Sequence, residues 1–217
     1  MITPANTAVL AVSAYEDTTY EHAHNFINSA RKYGIPLRWL TLNEKWINET
    51  YNKLHQFLKR IDILKQQGFE YALILDALDQ TFTGSLHQIT DEINTQYTPN
   101  KVLFLDTPNT HYKPFTPYKD AEFLDQLHQD GHFVNSTALF GALDDIARLF
   151  NICLDLQMEF AAEAPRAGIA TYCMRDRDDF YVNLNRYIFN DLFLFSMASL
   201  YHPEIMKTGN LTLLGRA

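Results

Sequence analysis

Phe69-Glu70-Tyr71-Ala72-Leu73-Ile74-Leu75-Asp76-Ala77-Leu78-Asp79 decides the fold of this chain. An apolar run of this length, cut off by two carboxylates three positions apart, predicts a strand buried on both faces, as in a parallel sheet. Open α/β sheets bind ligands beyond the carboxyl ends of their strands, which is where Asp76 and Asp79 fall. Two acids at such an edge repel each other unless a proton or a cation sits between them. A divalent ion carrying a phosphorylated ligand meets that need. The plainer alternative has them capping the next turn or facing water.

Working outward, strand-like and helix-like segments alternate. Thr7–Ser13 is a short apolar run, and Tyr20–Tyr33 has helical spacing with Phe26, Ile27 and Ala30 on one face. Gly34-Ile35-Pro36 stops that helix and opens a second strand, Leu37–Leu42. A long amphipathic helix is predicted over Glu49–Gln67, with Leu54, Phe57, Leu58, Ile61 and Leu64 inward and Gly68 ending it. After the Tyr71–Leu75 strand come a helix near Ser85–Asn94 and a strand at Val102–Leu105. This βαβαβαβ order predicts a parallel sheet with helices on both faces.

Asp106–Asp120, with Pro108, Pro114 and Pro117, reads as a long loop of the functional kind. His132–Phe140 reads as another strand, inserted at the active edge. Asp144–Glu159 is a helix with Ile146, Leu149, Phe150 and Leu156 inward, and a last helix is placed over Phe180–Ser199. With no internal repeat or linker, residues 1–217 are taken as one domain.

The 217 residues carry 47% apolar and 20% charged side chains, the balance of a packed globular chain. A formal net charge of −8 without any Lys/Arg tract makes nucleic acid an unlikely partner. No export signal is evident, since the run Ala8–Ala14 lacks a basic leader. Tyr187–Leu200 is interrupted by Asn190 and Asp191, so no membrane span is expected. Cys153 and Cys173 lack metal-ligand spacing; thiols of a reducing cytoplasm are the favoured reading and a single disulfide the other.

His132-Phe133-Val134-Asn135-Ser136-Thr137-Ala138-Leu139-Phe140-Gly141 is the second constellation. Asn135 and Ser136 ahead of an apolar strand suit hydrogen bonds to sugar hydroxyls, although both types also form ordinary turns. Phosphatases of the haloacid-dehalogenase type place two aspartates two apart after a buried strand. The spacing of three in this chain sets the second acid elsewhere.

From Leu10 to about Glu204 the chain resembles the glycosyltransferase domain of the procollagen lysyl hydroxylases, a GT-A type fold. Val12-Ser13-Ala14 matches that family's uridine pocket, Asn43-Glu44-Lys45-Trp46 its turn after the second strand, and Lys53 its nucleotide-site lysine. Asp76 and Asp79 match its Asp-x-x-Asp metal motif. Asn135–Gly141 matches its donor-sugar segment, and Asn190-Asp191-Leu192-Phe193 its late motif near the reacting sugar.

The resemblance implies a single-domain GT-A-like, Rossmann-like fold with a mostly parallel sheet flanked by helices. It further implies metal-assisted, retaining transfer of a hexose from a UDP-sugar. Mn²⁺ or Mg²⁺ would sit on Asp76 and Asp79, with Tyr15 or Trp46 against the base and Asp191 at the donor hexose. Asp106 is a second-rank pocket residue.

Three departures stand against this. Thr137-Ala138 replaces a Gly-Gly pair, Leu192 replaces a Gln, and the tail Met206–Ala217 lacks the family's Asp/His metal ligand. They define the alternative of a non-catalytic relative that binds a nucleotide or a protein. Nothing in the sequence encodes the acceptor.

Overall fold

The computed structural model describes residues 1–14, 21–42, 49–77, 80–106, 137–163 and 191–216. Strand β1 (Thr7–Ala14) is followed by helix α1 (Glu21–Lys32) and strand β2 (Leu37–Leu42). Helices α2 (Glu49–Leu58) and α3 (Ile61–Gln66) lead to β3 (Tyr71–Asp76). Then come β4 (Gln80–Phe82), α4 (Leu86–Asn94) and β5 (Val102–Asp106). The described chain continues with β6 (Ala138–Ala142), α5 (Leu143–Glu163), α6 (Asp191–Tyr201), β7 (Met206–Asn210) and β8 (Leu214–Arg216).

Six strands form one sheet in the order β2-β1-β3-β6-β5-β7, and β4 pairs with β8 in a second, two-stranded sheet. β1 runs parallel to β2 and β3, β5 runs parallel to β7, and β6 lies antiparallel to both β3 and β5. The fold is therefore α/β, with five co-directional strands and one reversed. Successive side chains on a strand face opposite sides, and the core divides accordingly. Leu10, Ile74, Leu139 and Phe104 pack with Leu54, Phe57, Leu64, Leu149 and Phe195 of α2, α3, α5 and α6. Val9, Leu73, Phe140 and Leu103 pack on the other face with Phe26, Ile89, Phe82 and Leu214 of α1, α4 and the small sheet.

Local chemistry explains several boundaries. Gly34 and Gly68 take positive φ, 65° and 87°, a backbone region open to glycine, and they end α1 and α3. Ser85 accepts from the Gln88 N–H and forms a capping box that starts α4. Residue Leu143 donates its N–H to the Glu70 carbonyl at 2.9 Å, so β6 turns directly into α5 beside the start of β3.

Two expectations change. The long helix over Glu49–Gln67 is two helices: the Arg60 N–H reaches back three residues to the Phe57 carbonyl, and its guanidinium donates to the Trp39 carbonyl on β2. No Gly or Pro marks this break. The strand expected over His132–Phe140 is described only from Ala138, and it lies inside the sheet, reversed, between β3 and β5. The last helix, expected over Phe180–Ser199, is present as Asp191–Tyr201, and positions 180–190 lie outside the described residues. Among the described residues no helix is long and apolar enough to cross a membrane. Cys153 is buried, and Cys173 lies outside the described residues.

Asp145, in the first turn of α5, has its carboxyl pushed above the ordinary value, chiefly by burial. Tyr97, itself raised to about 12, hydrogen-bonds to it. A carboxyl whose folded pKa exceeds its unfolded value contributes stability below the unfolded pKa, near 3.8, and loses it as pH rises through the folded one. At neutral pH the ionised group is thus a net cost. Asp145→Asn is expected to unfold at higher urea than the parent at pH 7, with the gap closing toward pH 4. An equal or lower midpoint at pH 7 would show that helix-terminus and Tyr97 interactions outweigh the burial.

Candidate functional site

The carboxyl edge of the sheet gathers several predicted site residues. Val12 pairs with Asp76 in register, and the Ala77 N–H donates to the Val12 carbonyl at 3.0 Å. Because β6 is reversed, its lead-in rather than its end lies at this edge, and the Asp76 N–H donates to the Thr137 carbonyl at 2.9 Å. Asp76, Thr137 and Val12 are therefore neighbours through the backbone alone.

Lys53 comes to the same point from α2. Lys53, Leu54 and Phe57 share one face of that helix, and all three are buried, Lys53 being 3% exposed. Its Nζ lies 3.1 Å from Asp76 Oδ1. The two side chains differ in burial, 4% exposed for Lys53 against 27% for Asp76. The ammonium is sunk beneath the edge and the carboxylate stands partly open above it. A buried ammonium requires a nearby opposite charge, and Asp76 supplies one.

No family model and no curated protein matches this chain.

Gln80 is a site residue that sequence reasoning missed. It is 1% exposed, and its Nε2 donates to Thr137 Oγ1 at 2.9 Å, tying β4 to the lead-in of β6. Its Oε1 has no hydrogen-bond partner among the described residues. One signal existed: an amide one position after the Asp-x-x-Asp spacing, at the start of a short Gln-Thr-Phe run.

Ser13 and Ala14 close β1, and their backbones pair with Thr41 and Leu42 at the same edge. Asp106 ends β5 there, in register with Asn210. Asp191 is the first residue of α6. β7 begins opposite Val102, just after α6, so α6 runs back along the sheet against the direction of β5. Phe195, in the first half of α6, packs on Phe104 near the end of β5, ring centroids 5.1 Å apart. The backbone of Asp191 accordingly stands toward the carboxyl-edge end of the fold. Tyr15, Trp46, Asp79, Asn135 and Ser136 lie outside the described residues.

Among the described residues no three His, Cys, Asp or Glu side chains gather to hold a metal ion. The chemistry of Asp76 nonetheless suits one. It brings a hard oxygen donor to the edge, partly exposed and paired with Lys53, and Mg²⁺ commonly keeps only one or two protein carboxylates beside water and ligand phosphate. Of the scattered histidines, His87 is exposed beside Asp91, and His55 on α2 has its pKa lowered, first by burial and then by Lys59. Neither stands among the groups just described.

Proposed function

We propose that the chain is a GT-A-like transferase that moves a hexose from a UDP-sugar to an acceptor. One observation carries this reading: a carboxylate at the end of a central strand, backed by a buried ammonium and bonded through its own N–H to the lead-in of the neighbouring strand. Sheet edges of this kind take phosphorylated ligands. The resemblance of Val12–Ala14, Lys53, Asp76/Asp79 and Asn135–Gly141 to a glycosyltransferase family supplies the substrate class.

In this reading Lys53 meets the diphosphate, and Asp76 with Asp79 holds the divalent ion. A bound Mn²⁺ or Mg²⁺ supplies Lewis acidity to the leaving diphosphate. Thr137, fixed to Gln80 and to the Asp76 N–H, sets where Asn135 and Ser136 can stand against the sugar. Asp191, at the start of α6, orients the donor hexose.

A second reading, a non-catalytic relative, is favoured by one specific feature. The tail is built into strands β7 and β8, and Met206–Ala217 contains no Asp, Glu, His or Cys to serve as a further ligand. Calorimetric titration of UDP, with GDP as control, in Mn²⁺ and again in EDTA separates the two. UDP-selective binding that weakens in EDTA is expected. Absence of any nucleotide binding would remove the transferase reading.

A further inference from the structure

We infer that the segment Met206–Arg216 is a positioning element for the carboxyl edge: β8 holds β4, and β4 through Gln80 holds the lead-in of β6 against Asp76. What that edge binds rests on the donor-site reading above; the link between the elements does not.

The segment is fixed first to the end of α4. Gln96 donates to the Asn210 carbonyl at 2.6 Å and accepts from the Asn210 N–H at 2.9 Å. Two residues on, the Thr212 N–H and hydroxyl both donate to Glu92 Oε1, at 2.8 and 2.9 Å. Leu211 and Leu214, both 0% exposed, sink the connection between β7 and β8 into the core that holds Phe82. β8 then runs back along β4. The Thr83 N–H donates to the Leu213 carbonyl at 3.0 Å, and the register continues through Phe82↔Leu214 and Thr81↔Gly215 to Gln80↔Arg216. Hydrogen-bonded pairs alternate along an antiparallel ladder, so Thr81 and Gly215 form the next one.

Gln80 passes that placement across to the main sheet. Its Nε2 donates to Thr137 Oγ1 at 2.9 Å, and the Thr137 carbonyl accepts from the Asp76 N–H at 2.9 Å. β4 has three residues, and among the described residues its strand partner is β8. A pair so small needs outside support. α1 gives it at Phe82, whose N–H donates to Ser29 Oγ at 2.9 Å, while β8 carries the support on to Gln80. Gln80 also has its Oε1 buried without a partner, a cost that an apolar side chain of similar size avoids. Its amide therefore serves position more than stability.

The test is residue-resolved amide hydrogen exchange on the full chain, comparing the parent with Gly215→Pro, Gln80→Leu and Glu92→Ala. Gly215→Pro removes the N–H facing Thr81 and unzips β8; Glu92→Ala loosens the segment at Thr212 and covers the case in which Gly215→Pro does not fold. Exchange at the Asp76 N–H is expected to quicken by about fivefold, the weight of one hydrogen bond. The Ile74 N–H, two residues further along the same β3–β6 ladder, reports global stability and should change far less. Gln80→Leu should give the same selective change with an unaltered urea midpoint. Calorimetry with UDP, UDP-glucose and UDP-galactose in Mn²⁺ is run on the same proteins. The UDP-sugars are expected to lose affinity relative to UDP, because the lead-in of β6 is the sugar side of the site.

Asp76 exchange that moves no more than that of Ile74 would overturn the positioning role, whatever the nucleotides do. Selective exchange at Asp76 in a protein that binds none of the three nucleotides would uphold the positioning role and remove the donor-site reading.

Discussion

Phe140→Ala is expected to destabilise the fold by about 4 kcal/mol, the range for a large aromatic lost from a core that cannot collapse around it. Phe140 is 0% exposed and lies on β6, the reversed strand that joins the two parallel parts of the sheet. Its backbone is flanked by Leu73 on one side and Leu103 on the other. Its ring stacks on Tyr71, centroids 5.7 Å apart, and meets Tyr97 edge-on at 5.4 Å. Tyr71 and Tyr97 are themselves perpendicular at 5.8 Å, so the three rings support one another. Each such pair adds about 0.5–1.5 kcal/mol beyond the area it buries.

Phe140→Leu keeps apolar bulk but loses both ring geometries, so it should cost less than half as much. Tyr201→Ala, at a 55% exposed position on α6, is the control and should stay within about 0.5 kcal/mol of the parent. Urea unfolding at pH 7 measures all three. A cost for Phe140→Ala under about 1 kcal/mol would mean that β6 is not a structural joint.

The same strand shows where the sequence was legible and where it was not. Strands β1, β2, β3 and β5 announce themselves because each is an apolar run bounded by turn residues or charges, and their order with the intervening helices dictates a parallel sheet. The period of Ile146, Leu149 and Phe150 likewise marks α5. The direction of β6 is invisible, since Ala138–Ala142 is apolar throughout and an apolar run carries no sign of which way its neighbours point. β7 is missed for the opposite reason. Met-Lys-Thr-Gly-Asn is mostly polar, and the strand is held partly by side chains from far away. Gln96 bonds both ways to the Asn210 backbone, and Lys207 reaches the Gln96 carbonyl.

At the site, Asp76 and Lys53 were each singled out, but for the same ligand rather than for each other. Their contact depends on how α2 sits on the sheet. Packing of Leu54 and Phe57 sets that position, and no spacing between residues 53 and 76 encodes it. Gln80 escaped because an isolated amide has no pattern; only its burial and its bond to Thr137 give it meaning.

Asp76→Ala is expected to cost about 3 kcal/mol, a structural effect separate from any loss of ligand binding. Deleting one member of a buried ion pair costs more than the pair contributes, because the remaining charge keeps its desolvation penalty and loses its compensation. Lys53, 3% exposed, is the member that would suffer. The partial exposure of Asp76 lets water soften the loss, which places the figure at the low end of the range for a fully buried pair. Lys53→Met combined with Asp76→Ala removes both charges and should return at least half of the lost stability. Recovery in the double variant is what distinguishes a charge effect from a lost strand-end contact, since the Asp76 N–H to Thr137 bond survives in both. Asp76→Asn keeps the volume and one acceptor oxygen, so it should fall between parent and Ala in stability. Metal-dependent UDP binding should nonetheless disappear in it, because the formal charge is gone. If urea unfolding places Asp76→Ala within about 1 kcal/mol of the parent, the Lys53 ammonium is neutralised by other groups.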